Sequence, residues 1–316
     1  MNFKKPNFWD KKRPNLLSYL LLPFTIPVRI NNFILKFKNI KKTDKIKSIC
    51  VGNIYVGGTG KTPTTIKIYN IFKKLGQKTV VGKKYYRSQL DEQIILKDKT
   101  NFITRKNRNE IIQTAIQNNF EIIIFDDGLQ DKTLDYDLKI VCFDIETWIG
   151  NGHLLPSGPL REKISSLEKY DVVLLKNENS KIDEISREIR KYNPNIKIFQ
   201  TFYEPVNLKN FNISENYIIF SGIGNPDSFI KILKENNFKI VKQVIFSDHY
   251  NYKSEDIKKI KLLAQNLKAK ILTTEKDYVK LSEIDRKEID FLEIRLKFKN
   301  EDNFVNYIKL KINEKY

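Results

Sequence analysis

The stretch from residue 46 to residue 65, IKSICVGNIYVGGTGKTPTT, constrains the fold more than any other part of this chain. An apolar, β-branched run leads into a cluster of glycines, and helical spacing of apolar residues begins directly after it. A strand, a glycine-rich loop and a helix in this order are typical of a site that binds phosphate groups. The sequence therefore predicts a phosphate-binding loop (P-loop) at the end of a buried strand.

The residue types in this loop suit that chemistry. Gly57, Gly58 and Gly60 have no Cβ, so backbone N–H groups can close around a phosphate. Lys61 would reach the outer phosphates of a nucleotide, and the hydroxyl of Thr62 would bind Mg²⁺. The predicted nucleotide-binding octet is Tyr55, Val56, Gly57, Gly58, Thr59, Gly60, Lys61 and Thr62. It departs from the pattern GxxxxGK[ST] at its first position, and a glycine-rich turn without a ligand is the alternative.

A second strong motif is EIIIFDDGLQ, residues 121–130. Four apolar residues ending in Asp126 and Asp127 predict a buried parallel strand that carries carboxylates to its carboxyl end, where open α/β sheets bind ligands. An aspartate at this position holds Mg²⁺ in P-loop proteins. The alternative is a strand that ends in an ordinary turn.

Composition limits the class of protein. With 316 residues, of which 41% are hydrophobic, the chain is long enough for two folded domains. Cys50 and Cys142 lie in apolar runs and form no CxxC pair. This disfavours a disulfide scaffold or a zinc site and indicates a reducing compartment.

The formal net charge of +19 fits an anionic partner, although lysine-rich codon usage would also produce it. Residues 1–50 carry twelve basic side chains and two aspartates around the apolar run LLSYLLLPFTIPV. This run is shorter than the roughly 18 residues of a spanning helix and contains two prolines. No signal-peptide cleavage site follows it. We expect a segment in the membrane interface, with a helix packed on the protein's own core as the alternative.

Strands and helices start to alternate again near residue 196, which predicts a second, smaller parallel sheet. A strand at 291–298 and a helix at 302–312 are expected to return to the first domain. The predicted fold class is α/β, with a P-loop NTPase-type parallel-sheet domain, a smaller α/β domain and an N-terminal membrane-interface helix. The expected boundaries are 1–40 for the N-terminal segment, 41–178 for the P-loop domain, 179–290 for the smaller domain and 291–316 for the terminal segment.

Other titratable residues are less informative by themselves. Asp91 and Glu92 are adjacent carboxylates of the kind found at a helix N-terminus. His249 lies in a polar loop, where a structural role is more common than a catalytic one, and His153 is the other histidine of the chain. The segment LTTEKDYVKL, residues 272–281, predicts a helix cap.

Taken together, these motifs resemble the tetraacyldisaccharide 4′-kinase family. The resemblance covers nearly the whole chain and keeps one order: the apolar N-terminal segment, GNIYVGGTGKTP, the Asp91-Glu92 pair, DDGLQ, LLPSGPLRE, SGIGNP, FSDH and LTTEKD. A P-loop alone is unspecific, whereas this series is specific.

The resemblance implies a lipid kinase of lipid A synthesis. It implies transfer of the γ-phosphate of ATP, with Mg²⁺, to the 4′-hydroxyl of a tetraacylated glucosamine disaccharide 1-phosphate, which gives lipid IVA. The expected place is the cytoplasmic face of the inner membrane, and the active site is expected in the cleft between the two domains. The expected partners are this lipid and the membrane surface, without nucleic acid, for a monomeric chain.

The resemblance also assigns residues. Asp91 matches the family's catalytic base, and His249 matches its partner from the second domain. Four residues match the phosphate and Mg²⁺ positions: Lys61, Thr62, Asp126 and Asp127. Four more match other active-site positions: Glu92, Gln130, Arg161 and Glu162. Two features depart from the family, namely Asp131 in place of a usual His and KKYYRSQLDE in place of a longer stretch that contains RGY.

The main alternative function is a P-loop ATPase or GTPase that acts as a switch or on nucleic acid, because the chain is so basic. A guanine-specific GTPase would carry NKxD after a later strand, and neither LLKNENS nor TTEKDY supplies it. A small-molecule ligase would leave the basic, apolar N-terminal segment unexplained.

Overall fold

A computed structural model describes residues 5–34, 44–131, 133–177 and 181–313. The ends of the expected N-terminal segment, 1–4 and 35–40, and the expected domain boundary after residue 178 lie outside these residues. The described strands are β1 (Lys47–Gly52), β2 (Thr79–Lys84), β3 (Phe102–Arg105), β4 (Ile122–Asp126), β5 (Leu138–Asp144), β6 (Val172–Lys176), β7 (Lys197–Pro205), β8 (Asn216–Ser221), β9 (Lys239–Ile245), β10 (Ala269–Thr274), β11 (Ile289–Leu292) and β12 (Ile294–Phe298). The described α-helices are α1 (Leu16–Leu20), α2 (Ile26–Ile34), α3 (Lys61–Lys74), α4 (Leu90–Lys99), α5 (Arg108–Gln117), α6 (Ile182–Tyr192), α7 (Pro226–Glu235), α8 (Ser254–Asn266), α9 (Glu275–Tyr278), α10 (Glu283–Arg286) and α11 (Glu301–Asn313).

The larger sheet has eight strands in the order β12-β7-β6-β5-β1-β4-β2-β3. Its central strand β1 is parallel to β4 on one side and to β5 on the other. These strands read as continuous apolar runs because both faces of a parallel sheet are covered. Since their carboxyl ends share one edge, the loop after β1 lies beside the aspartates that end β4.

The smaller sheet has the order β11-β10-β8-β9, and its neighbouring strands are all parallel. Successive residues of β8 point to opposite faces, as a strand requires. Ile218 packs in a core with Ile257 of α8, whereas Ile219 packs in a core with Phe229 of α7. Helices therefore cover both faces, and the predicted α/β class with a second, smaller sheet is confirmed.

The chain forms two compact units. The described part of one, the P-loop unit, lies within Lys5–Tyr85, Lys99–Phe202 and 296–313. The described part of the other, the smaller unit, comprises Tyr86–Asp98 and Tyr203–Arg295. Helix α4, which carries Asp91 and Glu92, thus belongs to the smaller unit and not to the P-loop domain of residues 41–178 in which the sequence placed it.

Two strands also differ from the sequence expectation. Strand β7 was expected to open the smaller domain, yet it pairs in parallel with β6 in the larger sheet. Alternation of strands and helices continues across this point, so the pattern alone does not show where a new sheet begins. The expected strand at 291–298 is divided at Glu293, whose backbone N–H and C=O bond to Asn207 and Val206. Its two halves, β11 and β12, belong to different sheets.

The N-terminal segment, here residues 5–34, is fastened to the P-loop unit by a few buried residues. Trp9 is buried, and its indole Nε1 donates to the carbonyl of Pro156 at 3.0 Å. The buried hydroxyl of Ser18 accepts from Asn151 Nδ2 at 2.9 Å, and its carbonyl accepts from Ser157 Oγ at 2.7 Å.

The large apolar side chains of this segment are instead exposed: Leu16, Leu17, Tyr19, Leu20, Phe24, Ile26, Ile30, Phe33 and Ile34. The alternative in which they pack on the protein's own core is therefore wrong. Within the described residues, no helix combines the length and apolarity needed to cross a bilayer.

Candidate active site

The predicted octet, residues 55–62, forms the loop after β1 and the first turn of α3. Gly57 and Gly60 have φ angles of +133° and +89°, which side-chain-bearing residues rarely adopt. Asn53, to which the sequence assigned no role, braces the loop through its amide Nδ2, which donates to the carbonyl of Tyr55 and to Thr59 Oγ1. The glycines are thus needed where the backbone turns, and an amide inside the loop fixes its shape.

Tyr55 stands where the P-loop pattern has glycine. Its backbone is outside the left-handed region, so this position does not require glycine. Its ring is buried, and its hydroxyl donates to Asp10 and accepts from Lys5 Nζ at 3.0 Å. Burial and the Asp10 contact raise the pKa of this hydroxyl well above its ordinary value, so it remains a donor. The substitution therefore ties the loop to the N-terminal segment.

Asp126, at the end of β4, is buried, and both of its carboxylate oxygens accept hydrogen bonds. Its Oδ2 accepts from Thr62 Oγ1 at 3.2 Å and from Lys83 Nζ at 2.6 Å, and its Oδ1 accepts from Thr65 at 3.3 Å. The Lys83 ammonium, itself 1% exposed, neutralises the carboxylate. Lys83 lies in the KKYYRSQLDE stretch that departs from the family, and no motif indicated its role.

Asp127 adopts a left-handed backbone conformation with φ of +59°. Its carboxylate lies 2.9 Å from Arg161 Nη1 and 3.5 Å from Lys61 Nζ. Burial alone would raise the pKa of Asp127, but Lys61 and Arg161 outweigh it and lower the pKa to about 2. The carboxylate of Asp127 therefore lies between two cations, Lys61 and Arg161, at the P-loop. Such a set of charges is suited to binding phosphates and a metal ion.

Three further predicted residues join this cluster. Gln130 Nε2 donates to the carbonyl of Asn53 at 2.9 Å and to Glu162 Oε1 at 3.0 Å. Arg161 Nη1 donates to Gln130 Oε1 at 3.2 Å. The hydroxyl of buried Tyr170 donates to Glu162 at 3.0 Å. Gln130, Arg161 and Glu162 thus connect the P-loop to Asp127 in one network.

Asp131 pairs with Arg108 of α5, which no motif indicated. Arg108 also donates to the backbone carbonyl of Asp127 at 2.6 Å. Burial opposes ionisation of Asp131, but hydrogen bonds from Thr133 and the charge of Arg108 lower its pKa below the ordinary value. The Asp that replaces the usual His of the family is therefore the partner of an arginine that supports Asp127.

In the smaller unit, Asp91 lies in the first turn of α4 and is 3% exposed. His249 Nδ1 lies 3.0 Å from both carboxylate oxygens of Asp91. Burial alone would raise the pKa of Asp91, but the His249 hydrogen bond and the Lys276 charge lower it below the ordinary value. Asp91 is therefore an ionised carboxylate with an imidazole as its partner.

His249 is held in a strained backbone conformation with φ of +55°. Such conformations persist where the surroundings enforce them, often at functional sites. Its N–H donates to the carbonyl of Gly222 at 3.1 Å and to Asp248 Oδ1 at 3.0 Å. Glu92 also lies near His249: its Oε1 is 3.9 Å from His249 Nε2 and 3.1 Å from Lys276 Nζ.

Comparison with known proteins decides the family. A model of the family described as tetraacyldisaccharide-1-P 4′-kinase matches residues 16–313. The tetraacyldisaccharide 4′-kinase of Pelagibacter ubique is 45% identical over 317 residues, covering 100% of both chains. That of Rickettsia bellii is 35% identical and covers 88% of this chain and 89% of its own. The chain belongs to the tetraacyldisaccharide 4′-kinase family.

The fold of the tetraacyldisaccharide 4′-kinase family recurs in a solved structure. The crystal structure of LpxK from Aquifex aeolicus in complex with ATP superimposes with a TM-score of 0.70 and covers 94% of this chain and 100% of that one. The two sequences are 22% identical, so this likeness concerns the fold. The family places this chain among kinases of lipid A biosynthesis that act on a lipid disaccharide.

A magnesium ion is implied by this family, and the residues present fit it. No group of three or more His, Cys, Asp or Glu side chains suited to a metal ion occurs in the part of the chain that the structure describes. Mg²⁺ that accompanies a nucleotide needs only one or two protein ligands, because phosphates and water complete its shell. Thr62 together with either Asp126 or Asp127 would supply that number at the P-loop.

Proposed function

We propose that this chain transfers the γ-phosphate of ATP to the 4′-hydroxyl of a tetraacylated glucosamine disaccharide 1-phosphate, forming lipid IVA and ADP. The observation that carries the proposal is the cluster of Lys61, Asp127 and Arg161 at a P-loop in a chain of this family. A relative of the same fold has been crystallised in complex with ATP, which supports ATP as the donor.

Each member of the P-loop cluster has a task in phosphoryl transfer. Lys61, which now contacts Asp127 and Asn53, would turn to the phosphates, and Arg161 would meet the charge that develops on the transferred group. Thr62, Asp126 and Asp127 would hold Mg²⁺, which supplies further neutralisation of phosphate charge. Buried Lys83 pairs with Asp126 and orients its carboxylate.

Asp91 would accept the proton of the 4′-hydroxyl. The hydroxyl oxygen forms a bond to the γ-phosphorus, the bond from that phosphorus to ADP breaks, and the hydroxyl proton moves to the carboxylate. His249 Nδ1 holds both oxygens of Asp91 at 3.0 Å and so sets the direction of the acceptor. A lowered pKa keeps Asp91 ready to accept at neutral pH.

The N-terminal segment would lie in the membrane interface at the cytoplasmic face of the inner membrane. Its apolar side chains point outward, and the exposed Lys11, Lys12 and Arg13 flank them. The apolar side chains would contact the acyl chains of the membrane, and the basic side chains would contact its anionic headgroups. A cavity of about 280 Å³ next to α2 is lined by Arg29, His153 and Lys163, and the side chains of Arg29 and Lys163 add positive charge there.

ATP turnover by the purified full chain tests the proposal. We expect turnover that requires the tetraacyldisaccharide 1-phosphate dispersed in detergent and that does not respond to DNA or RNA. Turnover stimulated by nucleic acid, or equally fast without the lipid, would instead support the alternative P-loop ATPase or GTPase.

A further inference from the structure

Lys276 contacts the Asp91–His249 pair, although the sequence assigned it no role. It lies in α9, which follows the carboxyl end of β10. Its Nζ is 3.1 Å from Glu92 Oε1 and 3.8 Å from both Asp91 Oδ2 and Asp248 Oδ1. The side chain is 23% exposed, so these contacts are largely shielded from water.

The charge of Lys276 follows from these neighbours. Burial alone would lower its pKa, but Glu92, Asp248 and Asp91 raise the pKa well above the ordinary value. The side chain is therefore an ammonium, which has three hydrogen-bond donors and no acceptor.

The ammonium of Lys276 restricts which nitrogen of the His249 imidazole carries the proton, because Lys276 Nζ lies 3.4 Å from His249 Nε2. An ammonium can only donate, so Nε2 must present its lone pair. The ring proton then resides on Nδ1, which faces both oxygens of Asp91 at 3.0 Å. We propose that Lys276 is a positioning residue that fixes His249 as the neutral tautomer with its proton on Nδ1, donating to Asp91.

Removing the ammonium of Lys276 should allow the ring proton of His249 to move to Nε2. His249 Nε2 lies 3.9 Å from Glu92 Oε1 and 3.9 Å from Asp248 Oδ1, and both oxygens are acceptors. Without Lys276, a proton on Nε2 would gain these partners. The ring would either lose its fixed donor to Asp91 or become an imidazolium, whose full charge makes Asp91 a poorer proton acceptor.

The surrounding backbone fixes the positions of Lys276 and His249 relative to each other. Asp277, next to Lys276, is fully buried and accepts from the N–H of Gly222 at 3.0 Å and from Tyr252 at 2.9 Å. The carbonyl of the same glycine accepts from the N–H of His249 at 3.1 Å. Lys276 and His249 are thus fastened to one turn, which makes a defined contact between them possible.

Nitrogen-15 NMR of the histidine rings tests the tautomer in the full chain. The chain has two histidines, so a His153→Gln variant assigns both sets of signals. In the wild type at neutral pH, we expect Nδ1 of His249 to be protonated and Nε2 to be unprotonated. In Lys276→Met, we expect the Nε2 signal to move to the protonated range, whereas Lys270→Met, at an exposed site on β10, should leave it unchanged.

Kinetics link the tautomer to catalysis, and this link alone rests on the proposed function. Lys276→Met should lower kcat by up to about 10²-fold, as misplaced catalytic groups do, without changing the KM for ATP. Lys276→Arg should restore part of kcat, because a guanidinium also only donates.

Several results would overturn the proposal. A wild-type His249 that carries its proton on Nε2, or on both nitrogens, would do so even if no variant folds. Unchanged ring signals in a folded Lys276→Met or Lys276→Ala protein, which has no donor at this position, would also do so. These results would leave kinase activity of the wild type untouched, whereas a wild type without lipid-dependent activity would contradict the proposed function instead.

Discussion

His249 Nδ1 lies equally close, at 3.0 Å, to the two carboxylate oxygens of Asp91. A single N–H directed between two oxygens holds the carboxylate by both its acceptors. Because both residues belong to the smaller unit, this pair is formed by the folding of that unit.

The first prediction is that Asp91 and His249 act as one catalytic group. Removal of a general base typically costs about 10²- to 10⁴-fold in rate, so Asp91→Ala and His249→Ala should each lower kcat into that range. Groups that act together are non-additive, so the double variant should be scarcely slower than the slower single variant. Steady-state kinetics with saturating ATP measures all three.

Asp98→Ala is the matched control, because Asp98 is an exposed carboxylate on the same helix, α4. It should keep near-normal kcat. If the two single losses multiply in the double variant, Asp91 and His249 do not form a pair, and Glu92 or Asp127 becomes the better candidate base.

The second prediction concerns stability and pH at Asp127, whose pKa is lowered from 3.8 to about 2. A carboxyl with a depressed pKa in the folded state stabilises the protein above its unfolded pKa, and this contribution disappears as pH falls through the folded pKa. The shift corresponds to roughly 2 kcal/mol at neutral pH. Asp127→Asn should therefore lower the free energy of unfolding at pH 7, and the difference from wild type should shrink between pH ~4 and ~2.

Urea unfolding at pH 7 and pH 3 measures this difference. Asp135→Asn removes a half-exposed carboxylate that pairs with Lys139, and such surface changes usually stay within about 0.5 kcal/mol. A deficit of Asp127→Asn that is the same at both pH values would show that its charge does not stabilise the fold.

Some parts of this fold and site could be predicted from the sequence because their signals are local. The glycines and the Lys61-Thr62 pair follow one strand directly, and Asp126 ends another. Short motifs were therefore enough to predict the places of these residues. Lys83 and Arg108 could not be found in this way. Their roles depend on ion pairs with Asp126 and Asp131, which lie 43 and 23 residues away along the chain.

The same reason explains the misplaced helix α4. Its sequence position lies inside the P-loop domain, whereas long-range contacts, among them those of Asp91 and Glu92 with His249 and Lys276, attach it to the smaller unit. The first of these contacts joins residues 158 positions apart, and the second joins residues 184 positions apart. Periodicity does not report contacts at such distances.

The third prediction concerns the outward apolar face of the N-terminal segment. Replacing Leu20, Phe24 and Ile30 together by Ser should weaken binding to vesicles of anionic phospholipid, because apolar area no longer enters the interface. The KM for the lipid should rise and the KM for ATP should not. Co-sedimentation and kinetics measure the two effects.

Leu262→Ser serves as the control, since Leu262 is 60% exposed on α8. The residues that fasten the segment, such as Trp9 and Ser18, remain in the triple variant, so the fold should persist. Vesicle binding equal to that of wild type would mean that this face does not contact the membrane.

Phosphoryl transfer to one hydroxyl of a lipid disaccharide is the activity on which the proposed roles of these residues depend. The most direct test of this transfer is phosphorus-31 NMR of the lipid recovered after incubation with ATP, Mg²⁺ and the full chain, with Lys61→Ala as the inactive control. We predict a new phosphate monoester coupled to the proton at position 4′, formed by wild type and absent with Lys61→Ala. A lipid that keeps only its 1-phosphate while ATP is consumed, or the same product from a folded Lys61→Ala protein, would contradict the account.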